Sequence, residues 1–150
     1  MILAPALALA GAGALAASAG SALGWHLVGG GSVSGSAPAS PVGWIAYSRA
    51  AVAKFAARVP AATGKAAGID FAHEALLAVV GEFGCQDGRV GVQSIVQSGS
   101  ALKVGLVERP LAAGTVECQA LFPTYRLLTV AKAQLRRPLP SRVEVRLARA

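Results

Sequence analysis

Apolar side chains recur along this chain mostly with the two-residue period of strands. The plainest case is near the C-terminus, where Val143, Val145 and Leu147 alternate with Arg142, Glu144 and Arg146. Successive strand side chains point to opposite faces, so this spacing predicts one apolar face and one charged face. Leu76-Leu77-Ala78-Val79-Val80 is a continuous apolar run closed by Gly81, the pattern of a central strand covered on both faces. Residues 90–96 and 102–108 are two further β-rich runs, and Gln97-Ser98-Gly99-Ser100 between them predicts a hairpin. Val42-Gly43-Trp44-Ile45-Ala46-Tyr47 and residues 125–132 read as strands of β-formers. Trp25-His26-Leu27-Val28 reads as an edge strand.

One segment has the helical period. Ser48 sits where an N-cap belongs, and Val52, Phe55, Ala56 and Val59 then form an apolar stripe opposite Arg49, Lys54 and Arg58. Pro60 ends the helix because its ring blocks continuation, and residues 61–68 read as a loop. Gly29-Gly30-Gly31 opens a Ser/Gly/Ala/Pro stretch that reads as a flexible connector up to Pro41. Gly84-Cys85-Gln86-Asp87-Gly88 reads as a turn. The chain thus divides into residues 1–24, an edge strand and connector over 25–41, and a β-rich domain over 42–150. The expected fold is α+β and mostly antiparallel: six or seven strands, sandwich-like, with one helix.

Composition changes this picture in three places. Of the 150 residues 54% are apolar, but many are alanine. Alanine buries little surface, so the core must come from the Val, Leu, Ile, Phe and Trp positions. The charges are lopsided, Lys+Arg 14 against Asp+Glu 7, a net +7. Only Arg136-Arg137 and the following Arg142, Arg146 and Arg149 form a local basic patch, with no interleaved aromatics to stack bases. A solvated basic face is therefore expected, or contact with an acidic partner or anionic envelope, rather than nucleic-acid binding. Residues 1–24 carry no charged side chain and end in small residues at Ala17-Ser18-Ala19 and Ser21-Ala22. A cleaved export signal or a retained membrane anchor fits that run, although no Lys or Arg precedes it. Either places the domain outside the cytoplasm, and membrane contact is expected only through this segment if it is retained.

The two cysteines, Cys85 and Cys118, have neither a CxxC partner nor a nearby histidine to form a metal site. In an exported domain they are expected to form a disulfide, stabilising the fold by about 3–4 kcal/mol on a chain-entropy argument.

Chemistry-bearing motifs are sparse. His26 lies in the edge strand, and His73 follows Asp70 at three residues. No second histidine stands at zincin spacing after His73-Glu74, and no Gly-x-Ser-x-Gly elbow supplies a nucleophile. His73 reads as a surface residue near a strand start. Asp70, Glu74, Glu82, Asp87, Glu108, Glu117 and Glu144 are scattered without the spacing of a catalytic pair. Trp25, Trp44, Phe71 and Tyr125 are placed as core aromatics. The chain has no asparagine, which excludes N-glycosylation. A non-catalytic domain without metal or cofactor is expected.

The C-terminal part resembles a known family. Ile69-Asp70-Phe71 precedes the buried run, Leu102-Lys103-Val104 and Glu108-Arg109-Pro110 belong to the hairpin, and Phe122-Pro123-Thr124-Tyr125-Arg126-Leu127-Leu128 follows. Over roughly residues 42 to 148 this is similar to the protease complex subunit PrcB family. Where that family carries a Thr-Gly-Gly-Tyr-like turn, this chain has Gln86-Asp87-Gly88-Arg89, with Cys85 added. The resemblance implies a non-catalytic exported partner that binds and stabilises a secreted protease. Two other readings stay open: an inhibitor-like module presenting Gln86, Asp87, Gly88 and Arg89 on a disulfide-pinned loop, and a structural envelope protein tethered by residues 1–24.

Overall fold

The computed structural model describes residues 21–33, 38, 40–82, 90–109 and 123–149. Among them the expected alternation produces seven strands: β1 His26–Ser32, β2 Val42–Ala46, β3 Glu74–Glu82, β4 Val90–Ser98, β5 Ala101–Glu108, β6 Pro123–Ala131 and β7 Arg142–Arg149. They form one curled sheet in the order β1-β6-β3-β2-β7-β5-β4. Every pairing is antiparallel except that of β5 with β7. The α+β, mostly antiparallel expectation therefore holds. Its two-layered character comes from the curl of a single sheet.

Strand β3 explains why the sheet needs covering on both sides. Ala75, Leu76, Leu77, Ala78, Val79 and Val80 are all fully buried. Ala75, Leu77 and Val79 join an inner cluster with Ile45, Ile95, Leu102, Val104, Leu106, Leu128 and Val130, and Val143, Val145 and Leu147 of β7 pack against it. Leu76, Ala78 and Val80 face the other way, into a second cluster with Val52, Phe55, Val59, Ala62, Ala66 and Leu127. Each large side chain so buried contributes roughly 1.5–3 kcal/mol of transfer free energy.

The second cluster is roofed by helical turns. A 3-10 turn, Ala50–Val52, runs into α1, Ala53–Ala56, and the Ser48 hydroxyl accepts the Ala51 N–H at 3.2 Å. Val52, Phe55 and Val59 are buried as the stripe requires, and Phe55 stacks on Trp44 with ring centroids 6.0 Å apart. Residues 61–68, expected as a loop, contain a second short helix, α2, Ala61–Ala66. Pro60 stands at its N-cap, where the missing N–H costs nothing. Ala62 and Ala66, one turn apart, are both buried. Alanines in that segment hid an apolar stripe too small to stand out in the sequence.

The glycine connector is also corrected. Gly29, Gly30 and Gly31 lie within β1, opposite Leu127, Arg126 and Tyr125 of β6. A Cβ on Gly31 would stand 3.3 Å from the Tyr125 ring, and one on Gly29 would stand 3.3 Å from the Lys65 side chain. The glycines let β1 lie close under these side chains.

Two seams close the curl. The four strands β1-β6-β3-β2 meet the three strands β7-β5-β4 through one registered pair, Gly43 with Val143. A Cβ on Gly43 would lie 2.6 Å from Val143 Cγ1, so only glycine permits this approach. At the opposite seam the chain ahead of β1 reaches the far edge strand. Ala22 bridges Val96, the Leu23 N–H donates to the Ile95 carbonyl at 2.8 Å, and the Leu23 side chain enters the inner cluster. Residues 1–20 lie outside the described residues, while Ala22, Leu23 and Gly24 are part of the folded domain.

Both seams are open to mutation. Gly43→Val is expected to cost about 1–3 kcal/mol through overpacking against Val143. Leu23→Ala is expected to cost about 2–5 kcal/mol. Leu27, which is 63% exposed, gives the control: Leu27→Ala is expected to change stability by no more than about 0.5 kcal/mol. Urea unfolding of the three variants measures all of this, and equal effects of Leu23→Ala and Leu27→Ala would rule out the strap as a structural seam.

Candidate functional site

The strand register sorts the chain into two ends. Glu82, the last residue of β3, pairs with Pro123, the first of β6, and Val90, the first of β4, pairs with Glu108, the last of β5. The connectors 83–89 and 110–122 therefore leave from one rim of the curled sheet. Cys85 and Cys118, and the candidate loop Gln86, Asp87, Gly88 and Arg89, lie in these connectors and outside the described residues.

The inner side of the same rim is polar. Thr124 and Arg126 alternate with Tyr125 and Leu127 and so share the inward face with Leu128. Thr124 is buried, and its Oγ1 has no hydrogen-bond partner among the described residues. Arg126 is half-buried, and burial lowers its pKa from the ordinary arginine value. The guanidinium stays charged all the same, because arginine starts so far above neutrality.

The opposite end is plugged by the chain between β6 and β7. Leu135 enters the inner cluster and Leu139 packs against it. The Tyr47 hydroxyl donates to the Pro140 carbonyl at 2.5 Å, and desolvation by burial pushes its pKa up to about 12. Lys132 Nζ donates to the Phe71 carbonyl and, at 3.4 Å, to that of Tyr47, and lies 5.8 Å from the Tyr47 ring centre. Gln97, read as a turn residue, is instead the last inward-facing position of β4 and is only 5% exposed. Its Oε1 accepts the Arg136 N–H at 2.7 Å and its Nε2 donates to the Arg136 carbonyl at 2.9 Å. A register shift in β4 between Val92 and Ser94 sets this orientation. No sequence signal marks that bulge, which is why the role of Gln97 was missed.

Asp70 and His73 do meet. Asp70 Oδ2 lies 2.7 Å from His73 Nδ1, and Asp70 Oδ1 accepts the Ala72 N–H at 3.1 Å. The His73 hydrogen bond, followed by that of Ala72, holds the Asp70 carboxyl below the usual carboxylate range. Both side chains are exposed, as expected for a histidine at a strand start. Together they form the turn that enters β3, where the Lys132 N–H donates to the His73 carbonyl at 2.8 Å. Among the described residues, no group of three or more His, Cys, Asp and Glu side chains is placed to hold a metal ion.

Of the arginines after residue 135, Arg136, Arg137 and Arg142 lie at the plugged end. Arg146 and Arg149 stand further along β7, Arg149 opposite Glu108 at the loop rim, so the five do not form one patch. Arg136 Nη2 donates to the Gln97 carbonyl at 3.2 Å, and Arg142 Nη1 donates to Ser100 Oγ at 2.8 Å. Arg142 also faces Glu144 Oε1 at 3.4 Å. With Arg137 beside them, they surround the β4–β5 turn, where Gly99 takes a φ of 57°, a conformation that favours glycine. No family model, curated protein or solved structure matches the chain.

Tyr47 gives this end a measurable signature. Its folded pKa is raised above the ordinary value of 10.0. The stability tied to its neutral form is therefore complete below pH 10 and is lost as pH rises towards about 12. The difference in tyrosinate absorbance between the native chain and Tyr47→Phe is expected to titrate near pH 12. A difference curve centred near pH 10 would show that this hydroxyl is not buried in the plug.

Proposed function

We propose that this chain is an exported, non-catalytic protein–protein interaction domain, acting as an accessory or stabilising subunit of a secreted protease or envelope complex. The observation that carries this reading is the meeting of four strand ends, at Glu82, Val90, Glu108 and Pro123, on one rim of a sheet with a filled apolar core. Recognition concentrates on loops held by a rigid scaffold, and the connectors 83–89 and 110–122 both start and finish there. The resemblance to the PrcB family supports a protease as partner, and the uncharged run at residues 1–20 supports export.

Both cysteine-bearing connectors share this rim, which favours the disulfide between Cys85 and Cys118. The bridge would pre-order Gln86, Asp87, Gly88 and Arg89 before they meet a partner, cutting the entropy cost of association. The net charge of +7 adds long-range attraction to an acidic partner.

Affinity capture of the full chain from its native host tests the reading. Enrichment of a secreted protease or envelope protein is expected, and recovery of the chain alone would refute it. Peptide mapping of the exported protein without reductant is expected to yield a linked Cys85 and Cys118 peptide. Reduction should then lower stability by about 3–4 kcal/mol; two free thiols in the exported protein would remove the bridge from the proposal.

A further inference from the structure

At the end opposite the proposed loop rim, a cleft of about 400 Å³ opens between the β4–β5 turn and the chain after Leu135. Its walls are Gln97, Gly99 and Ser100 on one side and Arg136, Arg137 and Pro138 on the other. Arg142 joins it from β7 through the hydrogen bond to Ser100 Oγ. Among the described residues no carboxylate lines the cleft, and Arg142 is faced by Glu144. Three guanidiniums against one carboxylate leave two positive charges around the opening.

The cleft is also rigidly framed. Two hydrogen bonds from the buried Gln97 amide clamp the Arg136 backbone to β4, and a third runs from the Arg136 guanidinium to the Gln97 carbonyl. Ser100 is likewise tied on the far wall, its carbonyl accepting the Ser141 N–H at 2.9 Å. Arg136 is thus fixed, and among the described residues no acidic side chain pairs with it. Arg137 makes no hydrogen bond among the described residues. The held Arg136 fork, with the Arg137 guanidinium beside it to close on a ligand, matches the oxygens of a tetrahedral anion, to which arginine bonds in parallel pairs.

We propose that this cleft binds a phosphate dianion, either free or as the monoester headgroup of a lipid. A monoester carries about −1.5 to −2 charges at neutral pH, which complements the two positive charges of the cleft. The site lies away from the loop rim and does not depend on the partner proposed for it. Arg136 and Arg137 supply the donors, Ser100 lies on the wall across from them, and the Gln97 clamp holds Arg136 in place.

Calorimetric titration of the full chain with inorganic phosphate, at constant ionic strength, is the first test. Saturable binding is expected, about tenfold stronger near pH 8 than near pH 5.5 as the second phosphate proton is lost. Arg137→Gln should weaken it about tenfold, the effect of one charge-assisted hydrogen bond, without moving the melting temperature. Lys103→Gln, outside the cleft walls, should leave phosphate affinity unchanged. Vesicles of phosphatidylcholine with phosphatidate then identify the source. Capture that Arg137→Gln weakens assigns a lipid headgroup, and phosphate binding without capture assigns the free anion. Absence of saturable phosphate binding, an Arg137→Gln variant that binds as the native chain does, or equal capture by vesicles of monoanionic phosphatidylglycerol would each overturn the proposal.

Discussion

Both halves of the sheet can share one inner core only because β2 and β7 approach closely at Gly43. The four-stranded and three-stranded halves each present an apolar face, and neither could bury it alone. A side chain at Gly43 would push against Val143 and Val145 and part the halves where they are joined by a single registered pair. Close packing forbids a compensating void, since protein interiors are as dense as organic crystals. The inner cluster, the burial of β3 and the placing of both ends of the sheet all follow from this contact.

The second seam is of a different kind. Ala22 and Leu23 are not a full strand, yet they carry the chain from the edge strand β4 to the opposite edge, where β1 begins. An exposed sheet edge is a template for unwanted pairing, and this strap occupies part of the β4 edge. It also adds Leu23 to the inner core. The segment just before the first strand therefore serves the folded domain, whatever happens to the apolar residues ahead of it.

The polar groups fall into two arrangements with different physical tasks. At the plugged end Tyr47 and Lys132 bond backbone carbonyls of the turning chain and Gln97 bonds the Arg136 backbone, so that the chain between β6 and β7 is held across this end of the core. Buried polar groups that are fully bonded fix one arrangement of the chain, whereas unpaired ones are costly. At the other rim, Thr124 and the half-buried Arg126 are the inward polar positions of β6, where the connectors 83–89 and 110–122 leave. One end is thus closed by hydrogen bonding within the described chain, while the connectors 83–89 and 110–122 leave from the other.

The sequence by itself determined the elements whose period is strong. The buried run around Leu77, the hairpin around Gly99 and the alternation of Val143, Val145 and Leu147 all lie where their patterns put them, because burial on one or two faces writes itself directly into residue type. The surface position of His73 was legible for the same reason. Only the tertiary structure decided the rest. It turned Gly29-Gly30-Gly31 into a strand, because Tyr125 and Leu127 of β6 supply the pairing that glycine does not favour locally. It made a helix of Ala61–Ala66, because small residues can pack closely against the sheet. It buried Gln97 through a bulge, and it brought Arg136, Arg137 and Arg142 to one turn near Ser100 and Gln97. Such contacts depend on strand order and register, and nothing local in the sequence specifies either.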